Sequence, residues 1–186
     1  MGILAEPLSA MKALKLPKGF RVAELGDQWV TCVKPHRLAR DWYQALGCGD
    51  YVSIDGNGRG SLLWDLNEPL DLQHLPLRGS CDLVTDFGTG EHVFDQAQVW
   101  RTLHDLCRVG GYIAWDRPVK GYPTHCYYCL DRCLFDDLEA ANGYRVIWRQ
   151  RRKTSRGILE RGIWQRMTAD PFKVPQQGRY QSSLKI

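Results

Sequence analysis

The chain has 186 residues, 44% of them hydrophobic and 25% charged, with a formal net charge of +4. This is the composition of one ordinary globular domain and excludes a disordered polypeptide. No apolar run approaches the ~20 residues that cross a bilayer, and the first residues lack the pattern of a cleaved secretory leader, so a soluble, cytoplasmic chain with no membrane partner is expected.

Leu4, Leu8, Met11 and Leu14 recur at helical spacing and predict a short amphipathic helix within residues 3–16, ended by Pro17-Lys18-Gly19. Residues 1–19 are read as an N-terminal helical lid. A strand over 20–25 is followed by Gly26 and then by a helix over 36–46 that stops at Gly47-Cys48-Gly49. Residues 50–55 read as a second strand, and a glycine-rich turn leads to a third over 61–65. A fourth strand is expected at 81–87, a helix at 94–107 and a fifth strand at 111–116. A helix over 130–141, closed by Asn142-Gly143, precedes strands over 144–148 and 158–167. Strands alternating with helices across residues 20–168 predict an α/β, doubly wound, mostly parallel sheet with helices on both faces.

From Asp170 the sequence loses periodicity and carries Pro171 and Pro175, so residues 169–186 read as an extended basic arm. Residues 145–186 hold eleven Lys or Arg against Glu160 and Asp170, a local charge of +9, which leaves −5 for residues 1–144. Such a segment suits an acidic protein partner, a second copy of the chain through residues 150–186, or nucleic acid. The plainer alternative is internal pairing with the acidic first part.

Ligands of such sheets bind outside the carboxyl ends of the strands, at the point where strand order reverses. The candidate residues are therefore Gly26, Asp27 and Gln28, then Asp55, then Asp65 and Leu66, then residues 86–92 and 116–125. Glu24, inside the first strand, needs a hydrogen-bond partner there and reads as an organiser of the following loop. Asp55 and Asp65 also suit ordinary turns. His92 and His125 follow strands at this edge and are candidates for a general base. Cys126, Cys129 and Cys133 crowd beside His125, the last two on a common helix face, but no second C-x₂-C pair completes a zinc tetrahedron. Seven irregularly spaced cysteines read instead as free thiols in a reducing compartment, and no metal is expected.

The segments VAELGDQ, YVSID, WDLNEPL, CDLVTDFGTGEHVFD, LHDLCRVGGYIAWDRP and LFDDLEAANGYRVI resemble, in order and spacing, those of a class I S-adenosylmethionine-dependent methyltransferase. The likeness covers roughly residues 20–148. It implies a Rossmann-like core that binds S-adenosylmethionine as cofactor. Gly26 would lie against the methionine part, Asp55 would accept from the ribose hydroxyls, and Asp65 with Leu66 would hold the adenine. Phe87 and Gly88 would line the cofactor, with Glu91 and His92 facing the acceptor. Members of that family carry several glycines in the first loop, whereas Gln28 stands here where a second glycine is expected. A side chain of this length can obstruct the cofactor or hydrogen-bond its carboxylate. The expected activity is methyl transfer to an oxygen or nitrogen of a small-molecule or glycan-like acceptor. The competing expectation is an inactive member of the fold serving as an assembly subunit through its basic C-terminal segment.

Overall fold

The computed structural model describes residues 2–71 and 74–176. Helix α1 (Ala5–Lys12) leads to strand β1 (Arg21–Leu25), a small ribbon of β2 (Trp29–Val30) and β3 (Arg37–Leu38), and helix α2 (Ala39–Ala45). Strand β4 (Asp50–Ile54), a 3-10 turn at Leu75–Leu77, β5 (Cys81–Phe87), a second 3-10 turn at Gly90–His92 and α3 (Gln96–Leu106) follow. Strand β6 (Cys107–Gly121), helix α4 (Arg132–Asn142), β7 (Arg145–Lys153) and β8 (Gly157–Gln165) come last. Residues 177–186 of the expected arm lie outside the described residues.

Six strands form one sheet in the order β4-β1-β5-β6-β8-β7. The first four are parallel, β8 runs antiparallel to β6, and β7, antiparallel to β8, returns to the direction of the first four. The register places Ile54, Leu25, Asp86 and Trp115 in one row, which levels the carboxyl ends of four strands and gathers their loops at one edge. Strand order reverses between β1 and β5, so the crevice of a doubly wound sheet opens there.

Period-two alternation divides the strands between two cores. On one face Val22, Leu83, Tyr112 and Ile163 pack against Leu8 and Met11 of α1 and Trp42 and Tyr43 of α2. On the other, Ala23, Val84, Ile113, Trp115 and Trp164 meet Val99, Trp100 and Leu103 of α3 and Phe135 and Leu138 of α4. Each such side chain contributes about 1.5–3 kcal/mol by leaving water. Every residue of β5 is buried, as a central parallel strand covered on both faces requires. Asp95 and Asp131 cap α3 and α4 by accepting from the amides of Gln98 and Cys133, and Gly143 ends α4 in the left-handed region at φ +60°.

The strand expected at 61–65 is absent, and a single bridge joins Ile54 to Leu62. Ser61 explains this: its hydroxyl accepts from Ser53 N at 2.8 Å, and its own amide donates to Ser53 Oγ at 3.0 Å, so side chains take the bonds a ladder would use. The next residues turn away as Trp64 and Leu66 drop into the core. The helix expected at 36–46 begins only at Ala39, because residues 37–38 pair with β2 instead.

The basic C-terminal part is largely spent internally. Arg149 bonds Asp136, Glu139 and Glu160; Arg152 bonds Glu6; and Arg166 donates to the carbonyls of His104 and Cys107. Beyond β8 the chain lies back on the domain: Asn142 and Lys173 exchange two hydrogen bonds, and Phe172 packs on the core.

Candidate functional site

The site is built on the ends of β1 and β5. Glu24 is fully buried, and its carboxylate accepts from Gln28 N at 3.1 Å, Tyr51 Oη at 2.7 Å and Thr85 Oγ1 at 3.4 Å. Burial pushes its carboxyl up to about 8, so it is mostly protonated at neutrality and braces the loop. Gly26 turns at φ +82°, and its amide donates to Ile54 O at 2.7 Å. A Cβ there would stand 2.2 Å from Thr89 Oγ1. Thr89 Oγ1 donates to Leu25 O at 2.9 Å and accepts from Gln28 Nε2 at 2.8 Å, so the Gln28 side chain crosses the glycine from one loop to the other.

Asp55, one residue past β4, accepts from Asp27 N at 3.3 Å and Asn57 N at 3.0 Å and thereby faces the same crevice. Asp65 is exposed and forms a turn with Asn67, whereas Leu66 is buried in the core. Gly88 adopts φ +93° at the end of β5, and Phe87 packs into the core beside α1 and α2. The crevice therefore brings Glu24, Gly26, Gln28, Asp55 and Gly88 together and leaves Asp65 and Leu66 on a separate loop.

Beside it lies a buried ionic cluster made by Asp86, Glu91 and Arg117. Asp86 accepts from the amides of Thr89 and Gly90, both at 3.1 Å, and pairs with the Arg117 guanidinium. Arg117 also donates to Glu91 Oε2 at 2.9 Å and stacks over Trp100. None of the three charged side chains is exposed. Burial pushes the Asp86 carboxyl above its ordinary range although Arg117 opposes the shift. Asp116 is pushed up to about 6 by burial, against the attraction of Arg161. Arg117 falls within the 116–125 segment expected at this edge, but its burial against Asp86 and Glu91 is not legible in the sequence, because an arginine after a strand normally points to solvent. The available signal was an Asp-Arg pair continuing a run too apolar to be an exposed edge.

His92 and His125 meet edge to face, ring centroids 4.9 Å apart. The loop carrying His125 is fastened to the turn carrying His92 by the amides of Tyr127 and Tyr128, which donate to Glu91 O at 3.1 and 3.4 Å. Tyr122 and Thr124 take φ +56° and +59° in the path that brings His125 against His92. Burial, with His92 beside it, holds the His125 imidazole below its usual range. Cys129 lies before α4 rather than on it, so it shares no helix face with Cys133. Cys126 and Cys129 donate to the carbonyls of Tyr128 and Gly121, each at 3.2 Å.

No protein-family model and no curated protein sequence matches the chain. Solved structures do. An S-adenosylmethionine-dependent methyltransferase from Mesorhizobium loti is 13% identical with a TM-score of 0.58, over 86% of this chain and 96% of that one. The 1,6-didemethyltoxoflavin-N1-methyltransferase of Burkholderia thailandensis, bound to its substrate and S-adenosylhomocysteine, gives 15% and 0.58 over 88% and 78%. A Haemonchus contortus phosphoethanolamine N-methyltransferase gives 10% and 0.59 over 88% of this chain and 52% of its own. With five strands in one direction, β8 reversed between β6 and β7, and helices on both faces, the chain has the Rossmann-like fold of the class I S-adenosylmethionine-dependent methyltransferases.

Proposed function

We propose that the protein binds S-adenosylmethionine in the crevice between β1 and β5 and transfers its methyl group to an oxygen or nitrogen of a small-molecule or glycan-like acceptor. The observation that carries this reading is the convergence of Gly26, Asp55 and Gly88 at the strand-order reversal, with two histidines on the adjoining loops. The residues present fit the cofactor. The Asp55 carboxylate retains lone pairs toward the crevice for a vicinal diol, and Gly26 and Gly88 permit close backbone approach. Gln28 must turn aside from Thr89, and its amide is then placed to hydrogen-bond the carboxylate end.

When bound, S-adenosylmethionine supplies a methyl group on a positively charged sulfur. Displacement there needs mainly alignment, which the level strand ends and the braced Glu24 loop maintain. His125, kept neutral by its surroundings, accepts the proton that an O–H or N–H acceptor must lose. The exposed rings of Phe94 and Tyr127 stand beside this loop and suit the apolar faces of an organic acceptor.

Calorimetric titration of chelator-treated protein with S-adenosylmethionine and S-adenosylhomocysteine tests the reading. Micromolar binding that falls at least tenfold in Asp55→Ala, about 1.4 kcal/mol or more, supports it. The second reading, an inactive fold serving in an assembly, is favoured by the Gln28–Thr89 bond across Gly26. It predicts no heat with either ligand up to millimolar concentration and a stable complex made through residues 150–186.

A further inference from the structure

We propose that Glu91, His92 and His125 bind one divalent transition-metal ion, zinc by the character of the donors, with a coordination position left open toward the acceptor side of the crevice. One ligand atom from each of the three side chains lies within 4.8 Å of the others. Among the described residues they are the one group of three or more such donors so placed. Two imidazoles and a carboxylate form the donor set of catalytic zinc sites, whose fourth position holds water or substrate. Tetrahedral ligands at about 2.0–2.2 Å from zinc stand roughly 3.3–3.6 Å apart. Of the three, His92 is exposed on its turn and has the rotational freedom to shorten these separations.

A second observation points to the same space. Glu91 is fully buried, yet only Oε2 is engaged, by Arg117; Oε1 has no hydrogen-bond partner. A buried carboxylate oxygen left without a donor has lost its hydration with nothing in exchange. His125 Nε2 is likewise buried and without a partner. Two unpartnered ligand atoms from different loops, brought within reach of each other, are suited to share one cation. The charge balance agrees, since Asp86 and Glu91 share the single Arg117 guanidinium in a fully buried cluster. Sequence spacing concealed the group, because His125 is distant in the chain and is brought to the turn by the bonds of Tyr127 and Tyr128 to Glu91 O and by its ring contact with His92.

Metal binding is independent of the methyl-transfer reading, whereas the ion's use rests on it. With an ion bound, His125 would be a ligand rather than a base, and an acceptor oxygen at the open position would release its proton to solvent water more readily, because the cation stabilises the anion.

The test uses the full chain, stripped with chelator and without cofactor, titrated with Co²⁺ followed by visible d–d absorption and then with Zn²⁺ in competition. One equivalent should bind at micromolar concentration or tighter with a tetrahedral spectrum. His92→Ala and His125→Ala, whose folding is checked by circular dichroism, should each weaken binding at least tenfold, and Cys126→Ser/Cys129→Ser should leave it unchanged. Glu91→Gln also breaks the Arg117 pair and is not the variant of choice. The proposal is overturned by no binding, by binding that survives both histidine substitutions, or by loss in the cysteine double variant. Cobalt binding without cofactor binding would refute only the methyl-transfer reading.

Discussion

The Gln28 side-chain amide donates to Thr89 Oγ1 at 2.8 Å and so ties the loop after β1 to the loop after β5, directly over Gly26. A glycine is needed beneath this tie for two separable reasons, its φ of +82° and the 2.2 Å that would remain between a Cβ and Thr89 Oγ1. Gly26→Ala is expected to destabilise the fold by about 2 kcal/mol or more, the left-handed conformation alone costing about 1–2. A chain of this length then melts roughly 4–8 °C lower. Adding Thr89→Ala should recover the steric part and leave the conformational part. Full recovery in the double variant, read by circular dichroism melting, would show that φ contributes nothing.

The same tie must open for a ligand to reach Gly26. Gln28→Ala is therefore expected to tighten S-adenosylhomocysteine binding threefold or more if the amide chiefly obstructs, and to weaken it by a similar factor if the amide chiefly receives the carboxylate. Calorimetry decides between these roles, and an unchanged affinity would mean that the ligand does not pass Gln28.

Arg117 is the one guanidinium paired with two buried carboxyl groups, and all three side chains are fully buried. Arg117→Met should cost roughly 3–5 kcal/mol, because it leaves Asp86 and Glu91 buried without their cation. Arg151→Met is the control: that side chain is 48% exposed in its pair with Glu160, and its loss should cost under about 1 kcal/mol. Urea midpoints at unchanged slope measure both. Equal losses would show that burial of the Arg117 cluster carries no special energetic weight.

Glu24 binds its proton more tightly folded, at about 8, than unfolded, near 4.5. Between those values the native state holds a proton that the unfolded chain has released, so stability falls as pH rises, by at most roughly 1.4 kcal/mol per unit. The contribution is complete below about 4.5 and gone above about 8. Glu24→Gln keeps an acceptor for Tyr51 and Gln28 N but cannot titrate, so its melting temperature should fall less than that of the native chain from pH 5 to 8. Parallel profiles for the two proteins would mean that the Glu24 carboxyl titrates normally.

Much of the architecture was legible in the chain because local patterns report burial directly. The segment 81–87 is strand β5 to the residue: Leu83, Val84 and Phe87 mark a strand covered on both faces, while Asp82, Thr85 and Asp86 are buried there because other segments supply their partners. Gly26, Asp55 and Gly88 were readable as an edge because strand-to-loop boundaries mark where such sheets bind ligands. Period and turn chemistry could not reveal that Ser53 and Ser61 would bond each other and cancel a strand, because that depends on how the loop between them closes. Nor could they pair Arg117 with Asp86 and Glu91, or spend the C-terminal arginines on Glu6, Asp136, Glu139 and Glu160. Sequence alone determined which residues are apolar, which turns require glycine and which strand ends carry acids, because those are properties of short segments. Tertiary structure alone decided which charges are buried together and that Glu91, His92 and His125 meet, because ion pairing and coordination depend on distances that the chain closes only when it folds.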